Sequence, residues 1–586
     1  MGRSVAMRAR GLAAVVVAVA TAAVLGNSGD ALGAVGAGAP CGTNGTWRQG
    51  ELNVYWLDVE QGDSQLIVGP TGKTLLIDLG ETAWNSTGAN TQASRVASRI
   101  RAICGVASGP VHLDYVMGSH HHLDHIGYSG NPNDTQQVGN GLYRLLTPAG
   151  EGFTVGTLID RDGGTWADSN GDGDCDVGTS SNPSNEIEWH NAGTTSQTAR
   201  RWICWLYGPA GQADRTNVDG RVTTLTNTAP WPALNLGTGV TATIVQTNAK
   251  GVMQADGVTP VSGDHTSDQT PPSENDYSIA IKIAYGPFEY ATAGDTDGEY
   301  ATSSFGYSYN DVEASLIDGF GNVEVARSNH HGSGHSSSAS YVSALAPESV
   351  FISCGSNSYG HPSNRMLDAF RTVTNERGAG ADIYLANNPC DVYQSDGTTP
   401  TDYSGTLNSD GDVWLHTTSS GSTYEIVYDA GIRSYSAYDE GAGGGAGSAS
   451  AMVINEYMMA PRDSGPKEWV ELYNPTAATV DVGGLHVDDL VGGGGAPKQI
   501  PVGTLIPPGG HYMFEFASGF LNNTGTDQVR YLAISGGVET VYDSTSYSLS
   551  STHYDQVFHR TGDGGTWCGA ISTNVTKGAA NPTTCP

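Results

Sequence analysis

The run His120-His121-His122-Leu123-Asp124-His125 follows almost at once on the apolar stretch Leu113-Asp-Tyr-Val-Met117, with only Gly118-Ser119 between them. An apolar strand that ends in imidazoles and a carboxylate requires a fold in which strand ends deliver binding loops, because unpaired polar groups cannot stay inside a sheet. On such a loop His120 and His122 point the same way, and Asp124 and His125 turn back towards them. Imidazole nitrogens combined with carboxylate oxygens suit zinc or another first-row dication. A fortuitous histidine-rich surface run would lack both the Asp-His at this offset and the buried strand before it.

The rest of residues 50–435 supports that kind of fold. Leu52–Val59, Ser64–Val68, Lys73–Asp78, Tyr277–Ala284, Phe288–Ala293, Val323–Ala326, Ser349–Ser353 and Ala381–Leu385 read as strands. Thr91–Cys104 has the spacing and charge of an amphipathic helix, and Ala339–Ala346 and Ser363–Asn375 read as helices. Strands interleaved with helices predict an α/β layer architecture. Residues 131–275, rich in Gly, Asn, Thr and Asp, read as a loop-rich insertion. Inside it, Asp168, Asn170, Asp172 and Asp176 alternate around Gly173 as oxygen ligands of a calcium loop do. Thr179 stands where the closing acid of such a loop belongs, so a polar turn pinned by Cys175 is the other reading.

One loop cannot fill the shells of two cations, and three later places offer donors. Asp295 ends a strand in Ala293-Gly294-Asp295, where a carboxylate can bridge two cations. His330-His331-Gly332-Ser333 follows the Val323–Ala326 strand, and His361 lies in Gly360-His361-Pro362 after Ser349–Ser353. Asp78 ends its own strand before Leu79-Gly80 and suits the orientation of a ligand histidine.

Composition limits what the chain can bind. The 586 residues carry a net charge of −33 with 27 Lys and Arg, which weighs against tight, sequence-independent binding of nucleic acid by charge. Arg3, Arg8 and Arg10 precede the apolar run Gly11–Gly26 and small residues to Ala34, so residues 1–34 read as an export signal. No membrane span is expected once it is removed, and a secreted protein results. The eight cysteines then read as disulfides. Proximity in sequence pairs Cys175 with Cys204, Cys354 with Cys390 and Cys568 with Cys585, leaving Cys41 for Cys104. Residues 436–451 form a Gly/Ala/Ser linker, and residues 452–586 read as an all-β sandwich of short alternating strands.

Trp56-Leu-Asp-Val-Glu-Gln-Gly-Asp-Ser64, Leu75-Leu-Ile-Asp-Leu-Gly80, Ser119–Gly127, Ala293-Gly-Asp295, His330-His-Gly-Ser333 and Tyr359-Gly-His-Pro362 occur in this order. The set resembles the metallo-β-lactamase-type hydrolase domain of ComEC-like competence proteins and of secreted phosphorylcholine esterases, over roughly residues 50–430 apart from the insertion, within a hydrolase domain read as residues 45–435. That resemblance implies an αββα sandwich with a binuclear site between the sheets, holding two divalent metal ions, zinc or manganese. By it, His120, His122 and His330 form one shell, Asp124, His125 and His361 the other, and Asp295 is shared. The choice between His330 and His331 stays open, the spare histidine assisting near the leaving group. The ComEC-like membrane channel has no counterpart here, so DNA uptake is not carried over. Val453-Ile-Asn-Glu-Tyr457, Glu468-Trp-Val-Glu-Leu-Tyr-Asn-Pro475 and Val482-Gly-Gly-Leu-His-Val-Asp488 resemble a lamin-tail domain. That resemblance implies an immunoglobulin-like module that binds a surface or another protein.

The chain has no Gly-x-Ser-x-Gly elbow, and the histidines carry the chemistry better than a serine triad. The expectation is a metal-bound hydroxide as nucleophile, with Asp124 or Asp295 taking the proton and His331 near the leaving group. The substrate expected from the resemblance is a phosphodiester, either DNA or a head group. The competing readings are a lactam or lactone hydrolase and a non-enzymatic, calcium-loaded surface-binding protein.

Overall fold

The computed structural model describes residues 38–586 apart from 82, 131–137, 180–184, 192–194, 228–230, 251–262, 269–271, 299–309, 387–389, 395–396, 438–450, 463–466, 477–479, 491–494, 502–503, 517–518 and 536–537. The expected export signal and most of the linker lie outside the described residues.

Short runs of β-branched and aromatic residues form the strands, and their burial sets two sheets. The first contains β1 (Asn53–Trp56), β2 (Gln65–Val68), β3 (Thr74–Ile77), β4 (His112–Met117), β5 (Thr154–Arg161), β8 (Val222–Leu225), β16 (Val413–Thr417), β17 (Thr423–Tyr428) and β18 (Gly431–Ser436). Their spatial order is β18-β17-β16-β1-β2-β3-β4-β5-β8. β1 lies antiparallel between β16 and β2, with Tyr55 opposite Trp414 on one side and Leu66 on the other. From β3 to β8 the pairing is parallel.

The second sheet runs β15-β14-β13-β12-β11-β10-β9. It is built from β9 (Val240–Gln246), β10 (Ala280–Tyr285), β11 (Phe288–Thr292), β12 (Val325–Arg327), β13 (Ser349–Ile352), β14 (Asp382–Ala386) and β15 (Leu407–Ser409). A separate hairpin pairs β6 (Gly164–Trp166) with β7 (Ile187–Trp189).

Alternation along each strand fixes the layers. Val54, Trp56, Ile67 and Leu75 of the first sheet pack on Ile281, Ile283, Tyr290 and Phe351 of the second. Trp56 stacks on Phe351 with ring centroids 3.4 Å apart. The opposite faces, through Leu66, Val68 and Leu76, pack on α1 (Gln92–Cys104), α3 (Gly141–Leu146) and α4 (Gln197–Tyr207). Behind the second sheet lie α5 (Glu313–Phe320), α6 (Ala339–Leu345) and α7 (Asn364–Thr372). Helix, sheet, sheet and helix in this order make an αββα sandwich.

The segment 131–275, read from composition as a loop-rich insertion, is also part of the scaffold. It supplies α3, β5 and β8 to the first half, α4 to its cover and β9 to the edge of the second sheet. All four disulfides pair as expected: Cys41–Cys104, Cys175–Cys204, Cys354–Cys390 and Cys568–Cys585. No helix of the described residues is long and apolar enough to cross a membrane.

The C-terminal part is all β. It has four-stranded sheets β25-β20-β19-β28 and β23-β22-β26-β27 plus the pair β21-β24, where these strands are β19 (Val453–Met458), β20 (Trp469–Tyr473), β21 (Val480–Asp481), β22 (His486–Asp488), β23 (Lys498–Gln499), β24 (Leu505–Ile506), β25 (His511–Glu515), β26 (Gly525–Ser535), β27 (Val538–Leu549) and β28 (Val557–His559). Tyr457, Val470, Leu472, Val487 and Tyr531 share its core. Buried carboxylates tie down its last segment. Glu456 accepts the Thr576 N–H (3.0 Å), and Glu471 accepts the Gly578 N–H (2.6 Å) and an Asn455 Nδ2 hydrogen (3.0 Å).

Burial pushes the Glu456 carboxyl up to about 7. The folded state therefore holds this proton more tightly than the unfolded chain, whose Glu titrates near 4.5. Stability of the module is expected to fall as the pH rises from about 4.5 through about 7. Thermal melts across that range should show the decline, and Glu456→Gln should flatten it. A wild-type midpoint that does not change with pH would refute the assignment.

Candidate metal centre

The histidine loop leaves β4 at Gly118-Ser119 and runs into the single-turn helix α2 (Leu123–Ile126). Neighbouring loops hold it by main-chain bonds. The Asp63 N–H donates to the Asp124 carbonyl (2.9 Å), Leu79 N–H to His125 (2.8 Å) and Glu81 N–H to Leu123 (3.2 Å). Gly80 is required for this approach, since a Cβ there would lie 1.6 Å from the Asp124 carbonyl oxygen. Asp78, at φ 59°, accepts the Ser119 N–H and the Ser119 Oγ–H at 2.7 Å each, and His125 Nδ1–H at 2.8 Å. Asp78 thus fixes the tautomer of His125 and turns its Nε2 inward. Asp78→Asn is expected to weaken metal binding about 10–100-fold, as measured by chelator competition. An unchanged affinity would remove Asp78 from this role.

Around Asp295 several acceptor atoms converge. His125 Nε2 lies 3.0 Å from Asp295 Oδ2. His331 Nδ1 faces the Ser353 carbonyl at 3.0 Å and must carry the hydrogen, because a carbonyl only accepts. The Nε2 of neutral His331 therefore presents a lone pair. It sits 3.3 Å from His125 Nε2 and 3.5 Å from both Asp124 Oδ2 and Asp295 Oδ2. Asp295 and Asp78 hold His125 well above the usual imidazole range, so a cation there would take the place of a proton. With the rings deprotonated these are lone pairs and carboxylate oxygens with no hydrogen among them, an arrangement that suits a cation. Nearby, His120 Nε2 and His122 Nδ1 are 3.0 Å apart, and His120 Nε2 is 3.9 Å from Asp295 Oδ2. Burial, with His125 and His122 adding to it, holds His120 well below the usual imidazole range, in the neutral form a ligand needs. Burial would raise Asp295, but the positive charge that His125, His331 and His330 carry when protonated outweighs it and draws the carboxyl well below its usual range.

Asp295 is also gripped from behind. Arg327, at the end of β12, is 1 % exposed. Its Nη1 donates to the Gly294 carbonyl, its Nη1 and Nη2 lie 3.4 Å from Asp295 Oδ1, and its Nε is 3.2 Å from Asp63 Oδ2. Asp63 in turn accepts Ser353 Oγ–H (2.7 Å) and a Gln65 Nε2 hydrogen (2.9 Å).

The structure groups the expected donors differently from the shells the resemblance implied. His331, not His361, lies with Asp124, His125 and Asp295, while His361 and His330 lie with His335. The cause is local. His330 and His331 both adopt left-handed backbone (φ 44° and 50°), which sends their rings in different directions, with centroids 6.4 Å apart. His121 is buried but turns away, its Nε2 3.0 Å from Asp160 Oδ1. Asp63, Arg327, Asp297 and His335 were not picked out as site residues from sequence. The signals for them were a carboxylate inside the Gln61-Gly-Asp-Ser64 motif, a cation closing an apolar strand, a second carboxylate two residues after Asp295 and a third histidine in the His330-His331 loop.

The acidic loop is exposed. Asn170 Nδ2 donates to Asp172 (2.8 Å) and Gly171 N–H to Asp168 (2.7 Å). Carboxylates of Asp168, Asp172 and Glu186 come within 4.8 Å of one another, as do those of Asp172, Asp174 and Asp176.

Strand order and core define the class, an αββα sandwich with a cluster of histidines and aspartates at its strand ends that could hold metal. No family model matches the sequence, and no curated protein matches it. Among solved structures the chain is similar to CmlA, a diiron beta-hydroxylase from Streptomyces venezuelae, with 12% identity and a TM-score of 0.27 over 57% of this chain and 53% of that one. A CmlA point mutant aligns at 11% identity and TM-score 0.26, over 57% and 52% of the two chains. The chain thus spans about half the length of these structures. The fold assignment rests on the sheets and core described above.

Proposed function

We propose that the chain is a secreted phosphodiesterase that works with two divalent cations, one held by His120, His122 and Asp295 and the other by Asp124, His125, His331 and Asp295. The observation that carries this reading is the convergence of His125 Nε2, His331 Nε2, Asp124 Oδ2 and Asp295 Oδ2 within 3.5 Å of one another's nearest members. Bound cations of this kind supply Lewis acidity and lower the pKa of water.

The chain's own groups supply the rest. Asp78 and Ser353 set the tautomers of His125 and His331. Arg327 takes Asp295 Oδ1, which leaves Oδ2 for the cluster. Asp124, with its side chain 34 % exposed, is the carboxylate open to solvent and is placed to accept a proton from an incoming water. The ordered motifs support a ComEC-like or phosphorylcholine-esterase-like choice of phosphodiester, and the four disulfides support an oxidising, extracellular setting. The C-terminal sandwich is, on this reading, a lamin-tail-like module that attaches the enzyme to a surface or another protein.

The test is turnover of bis-p-nitrophenyl phosphate, p-nitrophenylphosphorylcholine and nicked plasmid, with and without chelator and added zinc or manganese. Metal-dependent cleavage of one of them is expected. Cleavage of nitrocefin or a lactone without any phosphate-ester turnover would replace this reading with that of a lactam or lactone hydrolase.

A further inference from the structure

His330, His335 and His361 form a second constellation beside the Asp295 cluster. His330 and His335 both approach Asp297 Oδ1 through Nδ1, at 3.0 and 2.8 Å. Each ring donates that hydrogen to the carboxylate, so once deprotonated each carries its lone pair on Nε2, that of His330 lying 3.4 Å from the Asn275 amide nitrogen. One ligand atom from each of His330, His335 and His361 lies within 4.8 Å of the other two. The three ring centroids lie 4.8–6.0 Å apart. His361 is 8 % exposed, and its Nδ1 is buried without a hydrogen-bond partner among the described residues.

The loop is constructed to hold this shape. Buried Glu313 accepts the Ser337 N–H (2.5 Å), the Ser338 N–H (2.9 Å) and an Asn329 Nδ2 hydrogen (2.7 Å). Ser336 Oγ–H closes the turn onto the Asn329 carbonyl at 2.8 Å. Residues 329–338 are therefore one braced unit that presents His330 and His335 to Asp297 from the same side. On the facing loop, Asn357 Oδ1 accepts the N–H groups of Tyr359, Gly360 and His361 (3.0–3.3 Å), which fixes where His361 stands.

Three imidazoles with a position left open are a donor set of catalytic zinc, and a carboxylate behind ligand histidines orients them and raises their basicity. We propose that His330, His335 and His361, oriented by Asp297, form a third divalent-cation site of zinc type, next to the pair gathered on Asp295. The two places adjoin, since His330 Nε2 is 3.9 Å from Asp295 Oδ2. Three cations at one mouth suit a substrate with several negative oxygens, as a phosphate ester has. The site itself rests on this cluster's geometry, whichever bond the enzyme cuts.

The test counts metal. Protein stripped with chelator is titrated with zinc and with cobalt, and bound metal is read by elemental analysis and by cobalt absorption. Wild type is expected to take up three equivalents. His335→Ala and His335→Gln should hold two, and Asp297→Asn should weaken the third about 10–100-fold, with folding checked by circular dichroism. Saturation of wild type at two equivalents, or three retained by both folded His335 variants, would overturn the proposal. Neither result depends on which substrate is turned over, so a failure here is distinct from a failure of the phosphodiesterase reading.

Discussion

Asp295→Ala should cost on the order of 10³-fold in metal-dependent turnover, the scale of removing a group aimed at the charge developing in a reaction. It should also lower bound metal. The reason is the position of Oδ2, which faces His125 at 3.0 Å, His331 at 3.5 Å and His120 at 3.9 Å. Asp295→Asn preserves shape but removes the charge, so it should also bind metal poorly. Full activity with full metal content in the alanine variant would end the bridging role. Loss of metal from only one of the two positions would show that the carboxylate is not shared.

Arg327→Met is expected to be the most destabilising single change in the sandwich. The guanidinium is 1 % exposed and lies between Asp63 and Asp295, themselves 0 % and 2 % exposed. Methionine fills similar volume and leaves both carboxylates buried beside one another. Breaking a buried pair on one side costs about 3–5 kcal/mol, and at about 2–4 °C per kcal/mol for a domain this large the midpoint should drop by roughly 10 °C. Arg327→Lys should fall between, because an ammonium reaches as a point charge and cannot serve both carboxylates and the Gly294 carbonyl in one plane. Differential scanning calorimetry decides. A methionine variant that melts with wild type would mean that the two carboxylates are balanced from elsewhere.

The site was legible where chemistry is contiguous in the chain. His120, His122, Asp124 and His125 share one loop, and Asp295, His330, His331 and His361 each end or follow an apolar strand, so strand reading leads to them. The grouping of these residues was not legible. Two consecutive residues in left-handed backbone decide that His331 turns to Asp295 and His330 to Asp297, and nothing in His-His-Gly-Ser announces those dihedrals. Arg327 reads as an ordinary strand-end cation until the fold buries it against Asp63, 264 positions earlier. In the segment 131–275 the threonines and glycines masked real strands. Val222–Leu225, with one buried residue in four, is held by pairing with β5 more than by its own apolar content.

The placement of β1 has a consequence for timing. Asn53–Trp56 is an inner strand whose second neighbour is Val413–Thr417, so the first sheet stays open on one side until some 360 further residues exist. Contacts this distant in sequence form slowly, because loop closure precedes the gain. During synthesis the early third of the sandwich therefore waits, unzipped, for its closing strand.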